Sequence, residues 1–176
     1  MIVCAGEKES FEFATPIGIG MVDSAINLTR ICIMNPPEFI LFVGSAGSYG
    51  EKKIFDIIES KSASNIENSF FNASAYSPID NVVSSAIDVS KEIIVNSSNY
   101  ITTDESLSSR YLSHDIGIEN MEFFSIIKVA QKFDIPVGGI FIITNYCNKN
   151  AHQDFMANHQ EAMSRLSKYM SKRVKI

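Results

Sequence analysis

Four short stretches of the chain hold residues whose types and spacing could do chemistry. Glu7 and Glu9 follow the apolar run Ile2–Ala5. Ser45 lies in Gly44-Ser45-Ala46-Gly47-Ser48-Tyr49-Gly50, which reads as a small-residue loop directly after Phe39–Val43. Asn120-Met121-Glu122 opens a segment of helical periodicity, and Asn145 follows the apolar run Val137–Ile143. Each has a plain structural explanation as well. An acidic residue in the first turn of a helix is favoured by the macrodipole, which is sufficient for Glu122 alone. Glycines around a serine make a tight turn, an asparagine in a loop caps, and a glutamate in a loop faces water.

Other motifs fall short. Gly18-Ile19-Gly20 begins like a dinucleotide fingerprint, but Asp23 stands where the third glycine belongs. The Gly44–Lys53 segment lacks the Gly-Lys-Ser/Thr of a phosphate loop, and Ser45 is not in a Gly-x-Ser-x-Gly elbow. His114, His152 and His159 are not spaced as a metal set. Cys4, Cys32 and Cys147 match no zinc pattern and read as reduced thiols.

The elements that would position these residues follow from periodicity. Ile2–Ala5 reads as a buried strand, and Phe13–Ile19 as a strand running into a glycine turn. Val22, Ala25, Ile26, Leu28 and Ile31 predict a helix over Met21–Met34, stopped by Pro36-Pro37. Phe39–Val43 and Val137–Ile143 are continuous apolar runs, as expected of strands buried on both faces. Lys53–Ser60 and Tyr100–Thr103 read as strands, and Asp104–Ser113 as a helix. Asp80–Val89 reads as a short helix or an irregular arm. Asn120 is placed to cap a helix over Met121–Phe133 that buries Phe124, Ile127 and Ala130. The last helix, Ala151–Met170, turns Phe155, His159, Ala162, Leu166 and Tyr169 inward. Strands alternating with amphipathic helices imply an α/β domain with a mostly parallel or mixed sheet. Ligands in such sheets collect at the carboxyl ends of strands, which directs attention to the residues after Ala5, Val43 and Ile143.

A length of 176 residues suits one domain with a full core. Hydrophobic residues make up 45 % and charged residues 20 %, ordinary for a globular protein. A net charge of −5 argues against general nucleic-acid binding. The basic cluster Lys168, Lys172, Arg173 and Lys175 reads as a solvated helix end. No secretory signal is evident at Met1–Gly6, and no apolar run reaches the roughly 18 residues of a membrane span. A cytoplasmic protein is the expectation.

The order Gly18-Ile19-Gly20-Met21-Val22, helix, apolar strand, Gly44-Ser45-Ala46-Gly47, then Asn120-Met121-Glu122, resembles the nucleoside phosphorylase and nucleosidase family. The likeness is to purine nucleoside phosphorylases and to methylthioadenosine/S-adenosylhomocysteine nucleosidases. It covers about residues 17–47 and 118 to the C-terminus, and leaves 48–113 unmatched.

The resemblance implies a three-layer α/β/α fold with a central mixed sheet flanked by helices. It also implies cleavage of the N-glycosidic bond of a purine-type nucleoside, by phosphorolysis or hydrolysis, in nucleoside metabolism. Glu122 would accept hydrogen bonds from ribose hydroxyls and Met121 would pack on the sugar. The family's first Glu in that signature is Asn120 here. Gly20 would lie beside the substrate, while Ser45, Ala46 and Gly47 would approach the nucleophile and the base. Glu9, better placed than Glu7, would orient an attacking water.

Asn145 falls where nucleosidases and hexameric phosphorylases carry an Asp that protonates purine N7. The trimeric 6-oxopurine phosphorylases have Asn in a similar Ile-Thr-Asn context. An amide can hydrogen-bond N7 and O6 but is no acid, which moves weight toward oxopurines; Asn148 is a second candidate. Phe42 replaces a phosphate-binding Arg of the hexameric enzymes. Tyr49, Phe70, Phe71 and Tyr100 are the candidates for stacking on the base. No metal or organic cofactor is implied, apart from phosphate as co-substrate of a phosphorolysis. The expected partners are a small-molecule nucleoside and further copies of the chain, at least as a dimer. A family member that binds a nucleoside without turnover is the alternative.

Overall fold

The computed structural model describes residues 1–85 and 92–173. Among these residues, one mixed sheet of nine strands carries helices on both faces. Its centre is β3 (Ile40–Ser48), with β1 (Ile2–Cys4) and β9 (Val137–Tyr146) parallel to it on either side. β2 (Thr15–Pro16) extends the sheet beyond β1. β4 (Ile57–Ser60) runs antiparallel to β9. Lys61 alone separates β4 from β5 (Ser62–Ser64), which pairs with β6 (Val82–Ser84) and β7 (Ile94–Ser97). β8 (Ile116–Asn120) then joins β7 back to the far end of β3. The pairings β3–β9–β4, the link through Lys61, and β5–β7–β8–β3 therefore close a circuit.

Side-chain alternation distributes β9 between two cores. Phe141 and Ile143 face α1 (Gly20–Met34) and α4 (Phe123–Lys132), while Ile140 and Ile142 face α5 (Ala151–Arg173). Burial on both faces is the reason that this strand and β3 read as unbroken apolar runs. Phe42, Phe123 and Phe141 meet on the α1/α4 side with ring centroids 5.1–6.1 Å apart. Two short helices, α2 (Asn68–Phe71) and α3 (Ser108–Leu112), frame a third cluster around Tyr49 and Tyr111.

Several expectations need correction. The Gly44–Ser48 segment is not a loop but the second half of β3, because β9 runs beside it as far as Tyr146 and supplies a ladder. A register shift between Ala46 and Gly47 marks the irregularity that the small residues produce. The strand expected over Phe13–Ile19 shrinks to β2, since Pro16 cannot donate and Gly18 turns away at φ 101°. No strand forms at Tyr100–Thr103. There the Thr102 N–H donates to the Glu119 side chain and the Tyr100 N–H to Ser98 Oγ, so local side chains replace a ladder.

The helix expected over Asp104–Ser113 is a 3₁₀ turn (Glu105–Leu107) followed by α3. Of the Asp80–Val89 arm, Val82–Ser84 is strand β6, and residues 86–89 lie outside the described residues. β5, β7 and β8 were not anticipated. β5 and β7 are rich in Ser and Asn, and β8 carries Gly117, Glu119 and Asn120, which hides their period. Asn120 ends β8 rather than opening α4, yet its Oδ1 still accepts the Phe123 N–H at 3.2 Å. On α5, Ala162 and Leu166 are buried as expected, together with Ala151 and Met170. Phe155, His159 and Tyr169 are only half-buried. Tyr169 and Arg173 instead reach Glu59 on β4, so the basic end of this helix is partly paired.

Gly139 is a sensitive point of this packing. A Cβ there would come within 2.5 Å of the Phe141 ring and 2.8 Å of the Phe123 ring, both held by the aromatic cluster. Gly139→Ala is expected to lower stability by about 1–3 kcal/mol through overpacking, read as a lower urea midpoint at unchanged slope.

Candidate active site

The carboxyl ends of β1, β3, β8 and β9 surround a cavity of about 280 Å³. Glu9, Ser45, Ala46, Gly47, Met121, Glu122 and Asn145 all line it. Gly20 does not line it but touches it through Glu122.

The first cluster grows from β1. After Ala5 the chain turns sharply, with Gly6 at φ 102° and Glu7 at φ 52°, and the Glu9 N–H returns to the Gly6 carbonyl at 2.9 Å. This turn brings the Glu9 carboxylate onto β3. There Oε2 accepts the Ser45 N–H at 3.1 Å and Oε1 accepts the Ser45 hydroxyl. The neighbour must be glycine: a Cβ on Gly44 would lie 2.9 Å from Glu9 Oε2 and 2.9 Å from the Phe42 ring. Ser45 thus fixes Glu9 with two donors, and Glu9 presents a held carboxylate to the cavity.

The second cluster joins α1, β8 and α4. Glu122 is 5 % exposed. Its Oε1 accepts the Gly20 N–H at 2.8 Å, and its Oε2 accepts Asn120 Nδ2 at 3.0 Å and the Met121 N–H at 3.2 Å. Ile19, the residue that precedes α1, offers no side-chain cap, so the Glu122 carboxylate serves as one from across the chain. The Gly20 N–H that a dinucleotide phosphate would require is therefore already taken. Burial first, and then the nearby charge of Glu9, push the Glu122 carboxyl up to about 7, against the lowering effect of the Gly20 and Met121 N–H groups.

Asn145 stands near the end of β9, 7 % exposed. Its Oδ1 accepts the Thr144 hydroxyl at 2.9 Å and its Nδ2 donates to the Tyr146 carbonyl at 3.2 Å. One N–H of that amide remains for a ligand. Gly47 leaves it room, since a Cβ there would approach Asn145 Nδ2 to 2.9 Å.

Among the aromatic candidates, Tyr100 lines the cavity. Tyr49 is buried and stacks on Tyr111 at 4.2 Å, while Phe70 and Phe71 pack around His114. None of these three lines the cavity. Asn148 does not either; its Oδ1 accepts the Asn150 N–H in the turn before α5. Glu119, His152 and Phe155 line the cavity without having been singled out. Phe155 looks like a core residue at helical spacing, and Glu119 lies in a strand whose polar residues conceal it.

A family model of the phosphorylase superfamily matches residues 2–175. The chain belongs to that superfamily. A comparison by sequence with curated proteins finds no significant match. Among solved structures, the chain is similar to futalosine hydrolase of Helicobacter pylori, studied as a mutant, with a TM-score of 0.80 at 17 % identity over 97 % of this chain and 95 % of that one. It is also similar to an Asp-to-Asn mutant of the Helicobacter pylori MTA nucleosidase with 5′-methylthioadenosine in the active site. That match has a TM-score of 0.77 at 18 % identity over 90 % and 78 % of the two chains. A third is the 5′-methylthioadenosine/S-adenosylhomocysteine nucleosidase of Streptococcus pneumoniae with a transition-state inhibitor, at a TM-score of 0.74 and 15 % identity over 95 % and 94 %. These likenesses bear out the α/β fold with a central mixed sheet flanked by helices.

The raised Glu122 pKa has a stability consequence. Between the ordinary carboxylate value of 4.5 and about 7, the native protein binds a proton that the unfolded chain does not. Stability from this group is therefore present at low pH and lost as pH rises through that window, a change of about 3 kcal/mol at full extent. Urea unfolding at pH 5 and pH 8 is expected to show this loss in the native protein. Glu122→Gln, which has no carboxyl to titrate, should lack that component.

Proposed function

We propose that the chain hydrolyses the N-glycosidic bond of a purine nucleoside, with 6-oxopurine nucleosides and futalosine as the favoured substrates. The observation that carries this is the presence in one cavity of two differently held carboxylates and an amide. Glu122, whose Oε1 keeps an acceptor site beside the Gly20 N–H, takes a ribose hydroxyl, with Met121 against the sugar. Glu9, oriented by Ser45, takes a proton from the attacking water. Asn145 donates a hydrogen bond to N7 or O6 of the base, and Tyr100 offers it a stacking face. As the C1′–N9 bond breaks, its electron pair passes to the base. The water oxygen bonds to C1′ and its proton goes to Glu9. The base leaves as a hydrogen-bonded anion and is protonated by solvent.

Water is favoured over phosphate by charge. Among the described residues, Glu7, Glu9, Glu119 and Glu122 line the cavity, against one lysine, Lys8, and no arginine. Lys8 Nζ lies 3.2 Å from Met156 Sδ. Phe42, at the place of the hexameric enzymes' arginine, is fully buried in the aromatic cluster. A phosphate dianion in this cavity would face carboxylates with little to offset them.

The favoured substrate class rests on Asn145, whose amide can hydrogen-bond N7 and O6 of an oxopurine; futalosine is included because a futalosine hydrolase is among the similar structures. Self-association fits the outer face of α1, where Val22, Ile26, Ile33 and Met34 are exposed. No helix among the described residues is long and apolar enough to cross a membrane.

Base release is to be followed with inosine, guanosine, adenosine, methylthioadenosine and futalosine, with and without phosphate. Phosphate-independent release from the oxopurine substrates is expected, and Glu9→Gln should cut kcat by about 10²–10⁴-fold. Asn145→Asp should shift preference toward the adenine nucleosides. Release only with phosphate would overturn hydrolysis. Binding without any release would establish the alternative that Asn145 favours, a nucleoside-binding protein without turnover. Because ribose binding needs ionised Glu122, kcat/KM should rise with pH through about 7. Removing the Glu9 charge should move the pH dependence of nucleoside binding downward.

A further inference from the structure

Glu119 is a buried carboxylate that the hydrolytic scheme leaves without a task. It is 6 % exposed, on the cavity wall. Its Oε2 accepts the Tyr49 and Thr102 hydroxyls, each at 2.7 Å, and its Oε1 accepts the Thr102 N–H at 2.9 Å. The Cys147 thiol hydrogen-bonds it as well. Protein donors thus occupy most of its acceptor capacity, and little is left for a ligand.

The donors fall into two groups. Tyr49 and Cys147 are buried in the cluster around Tyr111 and form a fixed base. Thr102 ends the segment Asn99–Thr102, whose middle residues, Tyr100 and Ile101, line the cavity although 81 % and 51 % exposed. Among the described residues, no backbone-to-backbone hydrogen bond holds residues 99–102. At its other end, Asn99 Oδ1 accepts the Met21 N–H at 3.1 Å, lying against the open face of Gly20. The segment is hung from side-chain contacts: Asn99 at the start of α1, the Tyr100 N–H on Ser98 Oγ at 3.1 Å, and Thr102 on Glu119.

We propose that Glu119 is a positioning residue that clamps the Asn99–Thr102 strap over the cavity, so that Tyr100 and Ile101 form the wall against which a planar heteroaromatic base binds. The clamp itself is independent of the reaction; the identity of its ligand rests on the nucleosidase reading. A wall that contacts the base before and during bond cleavage contributes to ground state and transition state alike, so its loss shows in KM rather than kcat.

The chain contains no tryptophan, so Tyr100→Trp places a single fluorescent reporter on the strap. In ligand-free protein, adding Glu119→Gln should lower the anisotropy of that reporter; unchanged anisotropy overturns the clamp. With Tyr100 restored, Glu119→Gln should raise KM for the cleaved nucleoside about tenfold, with kcat within about threefold, the scale of losing one hydrogen bond to a charged acceptor. Unchanged KM overturns the role in binding, and a collapse of kcat at constant KM overturns positioning in favour of a part in the chemistry. Thr102→Val, which deletes only the hydroxyl donor, should act in the same direction by a smaller factor if Glu119→Gln does not fold. If no nucleoside is cleaved, titration of the reporter with hypoxanthine and adenine replaces KM. Weaker binding on Glu119→Gln then supports the clamp while hydrolysis fails, and equal binding overturns it.

Discussion

The hydrogen bond from the Gly20 N–H to the Glu122 carboxylate joins positions 102 residues apart and ties the start of α1 to the start of α4. Much of the site is organised around it. The same carboxylate collects Asn120 and Met121 at the end of β8, and Asn120 in turn takes the Ser97 hydroxyl and the first N–H of α4. One side chain therefore caps one helix, orders the end of a strand, and faces the cavity. α1 and α4 also meet through the Ser24 and Ser125 hydroxyls at 2.7 Å, so the two helices are registered by polar contacts as well as by the core.

Such an arrangement is electrostatically costly. Glu122 is desolvated and lies within the field of Glu9, and both effects oppose its ionisation. The backbone N–H groups offset part of this, but the carboxyl still titrates near neutrality. A fold built for stability alone would place an amide or an apolar group there. A poised, oriented carboxylate beside a second one is the kind of local conflict that marks a functional site.

Much of the fold was legible because β3 and β9 are buried on both faces and α1 and α4 have clear stripes. The polar strands were not. β5 (Ser62–Ser64) and β7 (Ile94–Ser97) satisfy their serines and Asn96 by side-chain hydrogen bonds with one another and with neighbouring loops, a tertiary arrangement that no local pattern reveals. Within the site, Glu9, Ser45, Glu122 and Asn145 could be named from motif order because each directly follows, ends or lies within a strongly patterned element. Glu119 could not. A glutamate two residues into the Ile118-Glu119-Asn120 run reads as solvent-facing, and only Tyr49 and Thr102, distant in sequence, make it an interior group. The Gly44–Ser48 segment was mistaken for a loop because small residues look the same in a turn and in a strand that a carboxylate must approach closely.

The circuit of strands has a further consequence for how this protein meets others. Because β3, β9, β4/β5, β7 and β8 close on one another, most backbone donors and acceptors of the sheet are spoken for. The described sheet ends at three short strands: β2 with two residues, β6 with three, and β4 with four, which pairs with β9 alone. Edges this short give another polypeptide almost no template for strand addition. Recognition between this chain and any macromolecule must then be written in side chains on helix and loop surfaces, which a few substitutions can retune without disturbing the sheet beneath.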